Sequence, residues 1–166
     1  MSHLNVEIKA RCDNPRFIRR YLRERNADFR GTDEQTDTYF NVARGRLKIR
    51  EGKIENSLIF YERENQLGPK ASAFHLVPSP DPRLKNALAA ALGVRKVVSK
   101  KREIYYLGNV KFHIDEVPGL GNFVEIEAGD LNSPMSEERL RAQCAYYMKE
   151  FGISEEDLVS GSYSDF

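Results

Sequence analysis

The chain opens on strict alternation. In NVEIKARC, residues 5–12, Val6, Ile8, Ala10 and Cys12 are apolar or small, while Asn5, Glu7, Lys9 and Arg11 are polar or charged. Period two puts successive side chains on opposite faces, which predicts a strand with one apolar and one charged face. The pattern then turns helical over 14–27, with Pro15 near the start and Phe17, Ile18, Tyr21 and Leu22 forming one stripe. Strand patterns return at 37–42, 45–51 and 56–64, with ARG and EGKIEN as the turns between them. A loop at 65–70 leads to a further strand, 72–78, and residues 82–93 read as a helix stopped by Gly93. Strands at 97–107 and 109–117 meet at Gly108-Asn109, a strong two-residue hairpin signal. PGLGN then turns the chain into a strand at 123–128. A longer helix over 136–152, with Ser136 at its N-cap, precedes a short one opened by Ser154, and GSYSDF ends the chain as a short strand or tail. About eight strands and three or four helices result, and short connections favour an antiparallel sheet that can close into a barrel.

Composition narrows the classes open to such a fold. The 166 residues suit one domain with a sizeable core. Lys and Arg number 26 against 25 Asp and Glu, a net charge of +1. A protein held on nucleic acid by its general charge would carry a clear basic excess, so nucleic acid is not an expected partner. Bound anions would need bases gathered locally. Two widely separated cysteines, Cys12 and Cys144, form no disulfide framework or metal motif and read as buried thiols in a reducing compartment. With no signal peptide and no apolar run of membrane-spanning length, a cytoplasmic protein with no membrane partner is expected.

The charged faces carry the chemistry. Arg46, Lys48 and Arg50 share one face of their strand, Lys100 and Arg102 share another, and Lys111, His113 and Asp115 a third. Glu125 and Glu127 align with Val124 and Ile126 behind them. For any single strand, a solvated face explains such alternation well. Like charges two residues apart repel, however, and exposed faces usually dilute them with Thr, Ser or Gln. Segregation of bases and acids on different strands is what a polyanion site with a metal requires. Arg forks and Lys ammonium groups bind phosphate oxygens, while a hard divalent cation bridges phosphates and takes carboxylate oxygens.

The residues also resemble a family. VEIKAR resembles the signature first strand of the CYTH superfamily, the triphosphate tunnel metalloenzymes, and QTDTYFNVARGRLKIRE, VSKKREIYY, HIDEVPGLGNFVEIE and GSYSDF continue the likeness in order. The resemblance spans nearly the whole chain as a single domain, 1–166, and is nearest to proteins similar to class IV adenylyl cyclases. It implies an α+β fold: an eight-stranded antiparallel β-barrel whose charged faces line a tunnel, with helices packed outside. It also implies Mg²⁺ or Mn²⁺ as cofactor and a small-molecule triphosphate, ATP or similar, as substrate. Carried over by position, Glu7, Glu125 and Glu127 would hold metal, and Lys9, Arg11, Lys48, Arg50, Lys100 and Arg102 would bind phosphates. Asp115 would stand near the metal as a ligand or as a partner orienting bases. A homodimer is an assembly left open. In one departure, the first strand of the family opens with two glutamates and this chain has Asn5 in place of the first. In another, Arg63 stands where the family often has a lysine.

Three functions follow as expectations. The first is an enzyme of the adenylyl cyclase type, converting ATP to cyclic AMP and pyrophosphate. The second is a triphosphatase acting on thiamine triphosphate or inorganic tripolyphosphate. The third, which Asn5 makes reasonable, is a non-catalytic binder of nucleotides or polyphosphate. A barrel carrying an apolar ligand is argued against by Arg46, Lys48 and Arg50 on one face. The lone G-x-G at Gly119 and Gly121 reads as a turn, no G-x-S-x-G nucleophile motif occurs, and His3, His75 and His113 lack metal-ligand spacing, although His113 shares a face with Asp115.

Overall fold

The computed structural model describes residues 3–63, 66–131 and 133–166. Strands β1 (His3–Arg11), β2 (Asp28–Phe40), β3 (Arg46–Glu51), β4 (Ser57–Glu62), β5 (Lys70–Pro78), β6 (Val94–Leu107), β7 (Val110–Val117) and β8 (Gly121–Gly129) form a closed barrel in the order β1-β5-β4-β3-β2-β6-β7-β8. Every pairing is antiparallel. Helices α1 (Pro15–Glu24), α2 (Arg83–Leu92) and α3 (Glu137–Glu150) join them, so the fold is the expected α+β barrel. Glu64 and Asn65, where the fourth strand was expected to end and the next loop to begin, lie outside the described residues.

Local chemistry sets the helix ends. The Asn14 side chain accepts from the Phe17 amide at 3.3 Å with Pro15 in the first turn, and Ser136 Oγ accepts from the Arg139 amide at 3.2 Å. Helix α2 stops at Gly93, whose φ of 80° suits glycine. It carries the chain from β5 to β6, which are not neighbours in the barrel. In the hairpin, Leu107 pairs with Val110 across Gly108-Asn109, with Gly108 at φ 59°.

The alternation in β1 divides two environments. Val6, Ile8 and Ala10 pack with Ile18, Tyr21 and Leu22 of α1, Leu140 and Cys144 of α3, and Phe112, Val124 and Ile126 of the adjoining strands. This core lies between the barrel wall and two helices, which leaves the other face of each strand for the interior. The Cys144 thiol donates to the Val6 carbonyl at 3.1 Å, and both cysteines are buried and unbonded to each other. A second cluster gathers Tyr39, Val98, Val117, Phe123 and Tyr163 where the C-terminal residues meet the barrel. GSYSDF, expected as a strand or tail, makes a 3₁₀ turn at Tyr163–Asp165. The 154–158 segment likewise is a 3₁₀ turn, closed by a reciprocal Ser154–Asp157 cap.

Candidate active site

A cavity of about 800 Å³ lies in the barrel. Lys9, Lys48, Arg50, Lys100 and Arg102 line it, as do Glu7, Glu125 and Glu127. Cross-strand register brings them together: Arg50 stands opposite Asp37, Arg102 opposite Asp115, Lys9 opposite Glu125 and Glu7 opposite Glu127. Asn5, Glu7 and Lys9 of the charged face of NVEIKARC therefore form part of the inner wall.

Asp37 organises the basic side. Its carboxylate accepts two hydrogen bonds of 2.9 Å from Arg50 and one of 2.8 Å from Lys100, and lies 3.2 Å from Lys48 Nζ. Burial alone would raise its pKa, but the charges of Arg50, Lys100 and Lys48 hold it well below the usual carboxylate range. One acid thus serves three bases, which leaves an excess of positive charge facing the cavity. Burial and the neighbouring Arg102 and Arg50 push the Lys100 ammonium well below its ordinary pKa, and an incoming anion would reverse that.

Arg102 is held by Asp115 through two bonds of 2.7 Å, and Tyr163 donates to the same carboxylate at 2.8 Å. Asp115 lies behind the cavity wall, with its oxygens committed to these donors. Tyr163 also lies beneath Lys9, whose Nζ is 3.8 Å from the ring centroid.

The acids adjoin this basic group. Glu125 lies 3.5 Å from Lys9 Nζ, 3.3 Å from Arg102 Nη2 and 3.3 Å from His113 Nδ1. One nitrogen of His113 and one oxygen from each of Glu125 and Glu127 lie within 4.8 Å of one another. Asn5 donates its amide to Glu127, and Arg63 pairs with Glu7. His113 is 2% exposed and lines the cavity, with Nε2 4.0 Å from Glu55 and without a hydrogen bond among the described residues. Two carboxylates beside an imidazole nitrogen are a donor set that fits a divalent cation.

Glu55, from the turn between β3 and β4, reaches the same cavity. It lies 3.6 Å from Arg50, 3.7 Å from Arg102 and 3.2 Å from Lys111, and accepts from Gln35 at 2.8 Å. Asp33 fixes the turn by accepting from the backbone amides of Lys53, Ile54 and Glu55 at 2.8, 3.1 and 2.9 Å. A carboxylate ringed by Arg50, Arg102 and Lys111 occupies the sort of position an anionic ligand would use.

Of the residues assigned to phosphate from the sequence, five line the cavity and Arg11 does not. Arg11 is exposed, donates to the Leu120 carbonyl at 3.2 Å and lies 5.1 Å from the Phe123 ring centroid, because β1 reaches the barrel rim there. Asp37 and Glu55 were not singled out by the sequence reading. Asp37 had a signal, since it shares a strand face with Tyr39. Glu55 had none, because only the closed fold turns it inward.

Comparison with known proteins agrees with this geometry. The model of the CYTH domain family matches residues 3–163. A protein of Methanocaldococcus jannaschii named "Putative adenylate cyclase" is 27% identical over 177 aligned positions, covering 96% of each chain. A conserved hypothetical protein of Pyrococcus furiosus superposes with a TM-score of 0.80 at 27% identity, covering 97% of this chain and 98% of that one. A Hippeastrum protein, described as a "Putative adenylyl cyclase" with a dominant triphosphatase activity, shares the fold at a TM-score of 0.65 and 14% identity, over 96% and 91% of the two chains.

Proposed function

The chain belongs to the CYTH domain family, and from that premise we propose that it is a divalent-cation-dependent enzyme acting on a nucleoside triphosphate in the manner of class IV adenylyl cyclases. The observation that carries the reading is the adjoining of a basic group and an acidic group in one cavity. Lys48, Arg50, Lys100 and Arg102 gather around Asp37 and Asp115, and Arg102 also reaches Glu125, which stands beside Glu127. Ile59, Phe74 and Leu76 also line the cavity, and this apolar stretch favours a substrate with an organic group over bare tripolyphosphate.

The residues would act by position and charge rather than through a covalent intermediate. Arg50 and Arg102, clamped by their aspartates, would present fixed forks to phosphate oxygens. Lys9, Lys48 and Lys100 would neutralise charge as the leaving oxygens gain it. Glu125 and Glu127, with Glu7 adjoining, would hold Mg²⁺ or Mn²⁺, which when bound supplies Lewis-acid polarisation of the phosphates. In cyclisation the ribose 3′-hydroxyl loses its proton to solvent as its oxygen bonds to the α-phosphorus, the bond from that phosphorus to the bridging oxygen breaks, and pyrophosphate leaves. In hydrolysis water is the nucleophile and orthophosphate leaves.

The test is incubation with ATP, thiamine triphosphate and tripolyphosphate, each with Mg²⁺ or Mn²⁺, followed by phosphorus NMR. Cyclic AMP with pyrophosphate is the expected result. Orthophosphate would replace cyclase with triphosphatase, and no turnover of any substrate would contradict an enzyme.

A further inference from the structure

We infer that His113 supplies a nitrogen ligand to the cation of this site, and that the site therefore selects Mn²⁺ over Mg²⁺. The inference rests on the cation-dependent reading above and adds to it the identity of one ligand and the class of metal that ligand favours.

Three observations converge. First, a nitrogen of His113 shares a cluster no wider than 4.8 Å with oxygens of Glu125 and Glu127. Second, the imidazole is buried against the cavity with Nδ1 3.3 Å from Glu125, while Nε2 lies 4.0 Å from Glu55 and makes no hydrogen bond among the described residues. With the proton on Nε2, that N–H faces Glu55 and Nδ1 presents its lone pair beside Glu125. A carboxylate facing the far nitrogen is the usual support of a metal-bound histidine. Third, β1 offers less than a glutamate pair would: Asn5 brings an amide whose nitrogen faces Glu127, and Glu7 is paired with Arg63. A further donor comes from His113 on β7, which stands opposite Glu125 in the ladder.

The choice of metal follows from the donor. Mg²⁺ is hard, keeps its water and takes oxygen, whereas imidazole nitrogen is a better ligand for Mn²⁺ and the later divalent metals. A site of two carboxylates and one imidazole is therefore biased away from Mg²⁺. A role for His113 limited to donating to Glu125 through Nδ1 would leave the metal shell all oxygen.

The experiment uses the full-length protein and the metal alone. Mn²⁺ is added, its binding is followed by electron paramagnetic resonance, and nitrogen coupling is read by electron spin echo envelope modulation. Protein carrying ¹⁵N only in histidine is then compared with unlabelled protein, which needs no mutation and so cannot fail through misfolding. We expect ¹⁴N modulation that is replaced by the ¹⁵N pattern on labelling and is lost in His113→Gln, with Mn²⁺ affinity falling tenfold or more, about the loss seen when a ligand's support is removed. Mg²⁺ should displace Mn²⁺ only in clear excess. Bound Mn²⁺ without histidine modulation, modulation that persists in His113→Gln, or displacement by equimolar Mg²⁺ would overturn the inference while leaving the metal site standing. Failure to bind Mn²⁺ at all would remove the cation-dependent reading itself, and the inference with it.

Discussion

Arg102 and Asp115 stand directly opposite each other on β6 and β7 and join through two hydrogen bonds of 2.7 Å. Arg50 and Asp37 repeat the arrangement on β3 and β2 at 2.9 Å. The barrel register makes both pairs, so the two guanidinium groups meet a ligand already oriented.

Asp115→Asn keeps the shape and removes the charge that holds Arg102. Losing one partner of a buried pair should cost about 3–5 kcal/mol of stability. Tripolyphosphate affinity should also fall, because Arg102 loses its orientation. Denaturant unfolding and calorimetric titration measure the two effects. Tyr163→Phe removes a single bond to the same carboxylate and should cost about 1.5–3 kcal/mol, the range for a bond to a charged group.

Asp37 gives the fold an acid limit. Its folded-state pKa lies well below the ordinary value, so its contribution to stability is complete above the unfolded pKa of about 4 and is lost as pH falls below that toward the folded value. The difference in unfolding free energy between the wild type and Asp37→Asn should therefore be constant at neutral pH and shrink below about pH 4. A difference that stays unchanged down to pH 2 would show that Asp37 is not the titrating group.

Glu55→Gln should have opposite effects with and without ligand. The free protein should lose stability, because Arg50, Arg102 and Lys111 lose a shared carboxylate. Tripolyphosphate should bind more tightly, by about tenfold for each 1.4 kcal/mol of competition relieved. Thermal unfolding with and without tripolyphosphate reads both, and equal or weaker binding would show that Glu55 does not compete with the anion.

Asn5→Glu restores a carboxylate beside Glu127. Metal-free protein should melt lower, since like charges then face each other, and added Mg²⁺ should recover the loss with higher affinity than in the wild type. An unaltered Mg²⁺ titration would place Asn5 outside the metal site.

The strands with one apolar face were legible because their pattern is simple. β1 and β8 alternate against α1 and α3, and the β6–β7 hairpin carries its own turn signal. Most of β2 was not legible. Asp33, Gln35 and Asp37 are buried inside, while Glu34 and Thr36 lie on the other face, so both faces are polar and period two disappears from the hydropathy pattern. The same inversion hid part of the site. In a charged interior, a buried acid looks like surface until the register shows which base it faces. His113 could be placed on a shared face with Asp115, but only the closed barrel brings it against Glu125 and Glu127.

The most direct measurement is calorimetric titration of a non-hydrolysable ATP analogue in the presence of Mn²⁺, using the wild type and Arg50→Ala. The expected result is one analogue bound per chain, with affinity reduced at least tenfold in the variant, which corresponds to about 1.4 kcal/mol or more for a lost charge-assisted contact. Absence of binding, or binding that Arg50→Ala leaves unchanged, would contradict a triphosphate held in the tunnel.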